Sequence, residues 1–194
     1  MAGLSIVGVA GSVTRPSRTT ALVQAALDRL EARSGIAGRL IELVDSAPVL
    51  FGALTPDKLA GEAKALVAAV EAADLLVIGT PVYRASYSGA LKHLFDLVHH
   101  AAFVGKPVLL TATGGTPLHG LVTEHELRPL FGFLNTLTLP TAVYAVETDF
   151  LDYRLVNPKV LARVDRAVDE ALTQLDRAPA RAAPSERRAA LAAG

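Results

Sequence analysis

Short apolar runs alternate along this chain with longer amphipathic stretches. The runs of strand length are Leu4–Ala10, Arg39–Leu43, Leu75–Gly79, Pro107–Ala112 and Thr141–Ala145. The first, third and fourth are almost continuous in apolar residues, the pattern of strands covered on both faces of a parallel sheet. Arg39-Leu40-Ile41-Glu42-Leu43 alternates polar and apolar residues instead, which suits a strand nearer an edge.

Between and after these runs, helices are predicted over about 18–33, 56–73, 88–100, 117–135 and 157–177. In the third, Leu91, Leu94, Phe95 and Val98 fall at i, i+3, i+4 and i+7, and Ser88 is placed to cap its start. Strand–helix alternation with right-handed crossovers gives a doubly wound α/β fold with helices on both faces. Five parallel strands so connected favour the order 2-1-3-4-5.

The fourth helix reads as irregular. Leu118, Leu121 and Val122 form one stripe, and Leu127, Leu130, Phe131 and Leu134 another. On an unbroken α-helix the two would lie on nearly opposite faces. One inserted residue, as in a π-bulge, removes only about 100° of that offset. Pro129 cannot donate to the carbonyl of His125, which permits a kink there. A helix buried on two faces, one against the sheet and one against another subunit, accounts for the rest.

Composition supports a packed domain: hydrophobic residues make up 51% and charged residues 20% of 194. Nineteen basic residues balance nineteen acidic ones, so a nucleic-acid partner is not expected. Cysteine is absent, which excludes disulfides, thiolate metal sites and cysteine nucleophiles. No uncharged run approaches the roughly 20 residues that span a bilayer. The N-terminus also lacks a signal-peptide pattern, so the expectation is a cytoplasmic chain without a membrane partner. One domain is expected over 1–177. Residues 178–194, with Pro179 and Pro184 among alanines and arginines, read as a disordered tail.

In an open α/β sheet, ligands bind beyond the carboxyl ends of the strands at the topological switch point. The segment after the first strand, Gly11-Ser12-Val13-Thr14-Arg15-Pro16-Ser17-Arg18-Thr19-Thr20, brings five hydroxyls and two guanidiniums to a helix start. Helix N-termini present unpaired N–H groups and the positive end of the dipole, which suits a phosphate. One hydroxyl suffices for capping, so the excess points to a ligand. The Gly-Lys-Ser/Thr ending of a nucleoside-triphosphate loop is missing. The three spaced glycines of a dinucleotide loop are missing too, since only Gly8 and Gly11 are present. A single terminal phosphate, as in FMN, fits better.

After the third strand, Pro81 rigidifies the turn and Tyr83 can lie against a planar ring; alternatively, Tyr83 and Tyr87 simply cover the sheet's end. After the fourth, Thr113-Gly114-Gly115 would let backbone approach a ligand without a Cβ in the way. Together the three loops would make an FMN site. His93, His99, His100, His119 and His125 show no metal-ligand spacing, so no metal is expected; His99 and His100 read as a polar helix end. No catalytic side chain is assigned either, because a flavin itself accepts and delivers the hydride.

The sequence resembles the NAD(P)H-dependent FMN reductases, which have a flavodoxin-like fold. It is most similar to the flavin reductases of two-component alkanesulfonate and methanesulfonate monooxygenase systems. The matching pieces are Gly11-Ser12…Pro16-Ser17-Arg18-Thr19-Thr20-Ala21-Leu22, Gly79-Thr80-Pro81-Val82-Tyr83…Tyr87-Ser88-Gly89-Ala90-Leu91-Lys92, Ala112-Thr113-Gly114-Gly115 and His125-Glu126-Leu127-Arg128-Pro129-Leu130-Phe131. The resemblance implies that Ser12, Ser17, Arg18, Thr19 and Thr20 hold the FMN phosphate. It implies that Pro81, Val82 and Tyr83 line the isoalloxazine and that Thr113, Gly114 and Gly115 contact its polar edge. It further implies reduction of FMN by NADPH or NADH and transfer of FMNH2 to a partner monooxygenase acting on organosulfonates. In the alkanesulfonate reductases a Tyr stands at the position of His125, in a π-bulge at a tetramer interface. His125 here matches the methanesulfonate type and points to a transfer or oligomer role, in a homo-oligomer expected to be a tetramer.

Two other functions fit the same fold. One keeps FMN as a prosthetic group and reduces quinones or azo compounds. The other is a flavodoxin-type electron carrier, against which the balanced charge argues, because such carriers present acidic docking faces. A response-regulator receiver would need an acidic cluster where Ala10-Gly11-Ser12 stands.

Overall fold

A computed structural model of the chain describes residues 4–177. The expected tail, 178–194, lies outside the described residues. The sheet is built on β1 (Ile6–Ala10), β3 (Leu75–Pro81) and β4 (Pro107–Gly114), flanked by β2 (Gly38–Glu42), and it is parallel throughout. Its order is β2-β1-β3-β4-β5, as expected from the strand–helix alternation. The fifth position is shared by two short strands. β5 (Leu137–Thr138) pairs the start of β4, and β6 (Val143–Val146) pairs its end. Sequence alternation shows only the second of these, because two residues carry no period.

The alternation of side chains explains why β1, β3 and β4 are apolar throughout. Val7, Val9, Leu76, Ile78, Val108 and Leu110 enter one core. It is closed by α2 (Leu43–Leu50), α3 (Gly61–Ala72), α4 (Gly89–Asp96) and α5 (Arg128–Phe133). Ile6, Ala10, Leu75, Val77, Leu109 and Val143 enter the other, beneath α1 (Arg18–Ser34) and α6 (Pro158–Arg177). Each such aliphatic side chain stabilises the fold by about 1.5–3 kcal/mol when fully buried. β2, buried only at Ile41, is the edge strand its polar alternation predicts.

Helix α1 lies so close to the sheet that a Cβ on Gly8 would meet Val23 and Leu27 at 2.8 Å. Its start is fixed by Ser17, whose Oγ accepts the Thr20 N–H at 3.1 Å. Its end is fixed by Gly35, at φ 73°, whose N–H returns to Glu31.

Three predicted helices are shorter or more broken than expected. The stretch 56–73 divides into a 3-10 turn at Pro56–Lys58 and α3, which opens at Gly61 with φ 50°. The stretch 88–100 ends as an α-helix at Asp96. His99 and His100 are exposed beyond it, and a 3-10 turn over His100–Phe103 drops Phe103 against Phe95. There Lys106 is fully buried, its Nζ donating to the carbonyls of Val70 at 3.1 Å and Glu71 at 2.7 Å, at the end of α3.

The stretch 117–135 is no single helix. It comprises a 3-10 turn (Pro117–His119), a π-helical turn (Thr123–Leu127) and α5. The Arg128 N–H donates to the carbonyl of Thr123, five residues back, so the irregularity inferred from the displaced stripes is a π-turn centred on His125. Pro129 follows in the first turn of α5, where its missing N–H leaves few bonds unmade. Of the two stripes, Val122, Leu127, Phe131 and Leu134 are buried, whereas Leu118 and Leu121 are exposed.

Candidate functional site

At the carboxyl ends of β1, β3 and β4 the structure holds a cavity of about 340 Å³. Ten of the residues expected there line it: Ser12, Ser17, Arg18, Thr19, Pro81, Val82, Tyr83, Thr113, Gly114 and Gly115. Thr20 does not, because its hydroxyl donates to Glu42 at 3.2 Å and its N–H is taken by Ser17. A larger groove of about 990 Å³ runs between α3 and Leu97–His100. None of its lining residues comes from the strand ends, so it is apart from the chemistry the loops offer.

The loop after β1 is held close by its neighbours. The Gly11 N–H donates to the Gly79 carbonyl at 2.7 Å, and a Cβ on Gly11 would meet that oxygen at 2.9 Å. Ser88 caps α4 by accepting the Leu91 N–H and donates its own hydroxyl to the Gly11 carbonyl at 2.6 Å. One residue thus starts a helix and pins the first loop to the start of α4. Ser12 is buried, with its hydroxyl 3.2 Å from the Thr14 carbonyl.

The two arginines of that loop separate. Arg15, one of the two guanidiniums counted in that loop, turns away to Asp45 and Glu42, with bonds of 2.7 Å to each. Asp45 first, then Glu42, raises its pKa, and Arg15 in turn holds the Asp45 carboxyl below the usual carboxylate range. Arg18 faces the cavity, where its guanidinium is ion-paired with Glu147 and lies 5.1 Å from the ring centroid of Tyr153.

Pro81 belongs to the strand and not to the turn expected of it: it is the last residue of β3, in register with Thr113. The turn proper is Tyr83–Ser86, which exchange both backbone hydrogen bonds across Arg84 and Ala85, at φ 50° and 65°. Tyr83 is exposed at the cavity, while Tyr87 packs on the core, so only the second covers the sheet. The Ser86 hydroxyl donates to Glu126 at 2.8 Å, tying the Tyr83 turn to the π-turn.

Behind the other wall, the Tyr144 hydroxyl donates to the Thr116 carbonyl at 2.7 Å, and burial pushes its phenol up. A Cβ on Gly114 would run into that hydroxyl, whereas one on Gly115 would meet nothing within 4 Å. Gly114 is therefore small because of Tyr144, and Gly115 is the glycine with free space.

Sequence reasoning missed Glu147 and Tyr153. Both come from beyond β6: Glu147 opens a 3-10 turn (Glu147–Asp149), and Tyr153 is at the tip of the hairpin β7–β8 (Phe150–Leu151, Arg154–Leu155). Strands of two residues leave no alternation to read, and the tip residues Asp152 and Tyr153 adopt φ of 47° and 58° without a glycine as signal.

The lining suits a phosphate beside a planar ring. The α1 start offers first-turn N–H groups that no helical carbonyl can meet, with hydroxyls and the Arg18 guanidinium around them. Residues 4–150 match the family described as NADPH-dependent FMN reductase. The NADH-dependent FMN reductase SfnF of Pseudomonas fluorescens (strain Pf0-1) is 48% identical over 168 residues, 87% of this chain and 90% of its own length. An FMN reductase (NADPH) of Pseudomonas aeruginosa is 47% identical over 166 residues, 86% of this chain and 89% of that protein. Among solved structures, an NADH:FMN oxidoreductase in its apo form is similar with a TM-score of 0.76 at 32% identity, covering 88% of this chain and 89% of that one.

Proposed function

Because the chain belongs to the family of NADPH-dependent FMN reductases and is an NAD(P)H:FMN oxidoreductase, we propose that it reduces FMN as a diffusible substrate. The FMNH2 then passes to a flavin-dependent monooxygenase that desulfonates organosulfonates. The observation that carries this reading is the cavity at the strand ends, with hydroxyls and a helix start at one end and an exposed tyrosine at the other. The flavin accepts a hydride from the nicotinamide, so the protein's part is to bind, orient and release.

In this reading Ser12, Ser17, Arg18 and Thr19 hold the phosphate together with the first N–H groups of α1. Thr20 supports them from outside the cavity. Pro81, Val82 and Tyr83 line one side of the isoalloxazine, and Thr113 and the Gly114-Gly115 turn meet its polar edge. The resemblance to two-component sulfonate systems supports the partner. Among the described residues no helix is long and apolar enough to cross a membrane, and dependence on NAD(P)H suits the cytoplasm.

The oligomer expected is a homotetramer packed through the π-turn region. Its support is an exposed apolar surface there, with Leu118 88%, Leu121 64% and Phe133 80% exposed. Steady-state NAD(P)H oxidation with and without added FMN tests the function. Turnover that requires added FMN supports a substrate flavin; turnover by bound flavin alone, with a quinone or azo acceptor, overturns it.

A further inference from the structure

We propose that Glu147 competes with the flavin phosphate for Arg18 and thereby keeps FMN loosely held. The inference rests on the reading that the phosphate lies at the start of α1. Arg18 is the first residue of that helix, directly after the capping Ser17, and its guanidinium is engaged by the Glu147 carboxylate. Both residues line the same cavity. A phosphate reaching Arg18 must therefore share it with a carboxylate or displace that carboxylate, and in either arrangement two anions stand close together.

The turn that carries Glu147 is held from behind, so its carboxylate stays tethered beside the cavity. The buried Asp149 accepts the Val146 N–H at 2.7 Å and the Asn157 side-chain amide at 2.6 Å. Its carbonyl accepts the N–H groups of Val156 at 2.9 Å and Asn157 at 3.2 Å. On another side Tyr153 lies across Arg18. The guanidinium is thus held between a fixed acidic turn and an aromatic hairpin tip. A site built for permanent flavin would gain from a neutral residue at this position. An acid there lowers affinity for the phosphate and speeds departure, as transfer of reduced flavin to another protein requires.

The repulsion acts at an exposed edge, with the Glu147 and Arg18 side chains 65% and 35% exposed. Solvent screening keeps its effect to about three- to tenfold in affinity. Fluorescence titration of FMN and riboflavin against the wild type, Glu147→Gln and Glu147→Ala tests it. Both variants should bind FMN about three- to tenfold more tightly and release it correspondingly more slowly in stopped flow, with riboflavin unchanged. The gain should shrink as salt is raised. A wild type that binds riboflavin as tightly as FMN removes the phosphate reading and this inference with it. A wild type that prefers FMN, with variants that bind it no better, overturns the role of Glu147 alone.

Discussion

The hydroxyls of Thr19 and Thr113 meet at 2.6 Å in the buried interior, joining the first turn of α1 to the last residues of β4. One hydroxyl donates and the other accepts, so the acceptor's own hydrogen is free for a further partner, and both residues line the cavity. The pair therefore ties the α1 wall of the cavity to its β4 wall. Replacing either threonine by Val strands a buried hydroxyl and should cost about 1–3 kcal/mol. The double variant should lose less than the sum of the singles, as read from urea unfolding midpoints. Additive losses would mean that the bond contributes nothing.

The phosphate assignment is best tested where the scaffold depends least on the hydroxyl. Ser17→Ala would also remove the α1 cap, whereas Gly at that position costs only a few tenths of a kcal/mol. Ser12→Ala combined with Ser17→Gly should weaken FMN by at least about tenfold while leaving riboflavin, which has no phosphate, nearly unaffected. Equal losses for both flavins would place the phosphate elsewhere.

Gly115 and Gly114 separate ligand approach from packing. A Cβ on Gly115 would meet no protein atom within 4 Å, so Gly115→Val should fold with a nearly unchanged melting temperature, yet bind FMN about tenfold or more weakly if its side chain occupies the ring edge. Gly114→Val should lower stability as well, by displacing Tyr144. Normal FMN binding by Gly115→Val would make the turn purely structural.

The π-turn gives a test of assembly. Deleting His125 removes the extra residue and should convert Thr123–Leu127 to ordinary α-helix. The same change rotates Glu126 away from Ser86. A folded deletion variant with an altered oligomer, by light scattering, and slower FMNH2 transfer in a coupled oxygenase assay is expected. A monomeric wild type, or a variant unchanged in both measurements, would refute the packing proposed here.

The same turn predicts a pH dependence. Arg128, bonded to Glu124 through Nε at 2.6 Å and Nη2 at 3.0 Å, holds that carboxyl below the usual carboxylate range. A carboxylate with a depressed folded-state pKa stabilises above its unfolded value, here near 4.5, and loses that effect as pH falls through the folded value. Glu124→Gln should cost about 0.3–0.5 kcal/mol at pH 7, screening included, and the difference from wild type should fade below pH 4.5. A difference that does not change with pH would assign it to packing.

How far the sequence is legible follows from the range of the forces involved. Buried strands announce themselves locally, and so do capping serines: Ser17 and Ser88 stand where their helices begin. The π-turn is legible because an inserted residue displaces every apolar position after it. Helix α2 is harder. Leu43, Ala47 and Leu50 have helical spacing, but Pro48 sits among them and only eight residues support the pattern. Glu147 and Tyr153 are not legible at all, since only the tertiary fold brings them to Arg18, 129 residues earlier than Glu147. Arg15 shows the converse: a residue of suitable charge in a suitable loop is claimed by nearer carboxylates.

Tyr144 and Gly114 share one volume, the ring of the first filling the space a side chain on the second would need. In a lineage of such proteins neither position is free to drift alone. A larger residue at 114 must push the Tyr144 hydroxyl aside, and shrinking 144 first removes the hydroxyl that braces Thr116. The two sites are expected to change as a pair, through an intermediate that is either crowded or unsupported. Substitution at Gly114 should therefore be constrained by the protein's own packing, whereas at Gly115, where a Cβ meets no protein atom, only the ligand stands in the way.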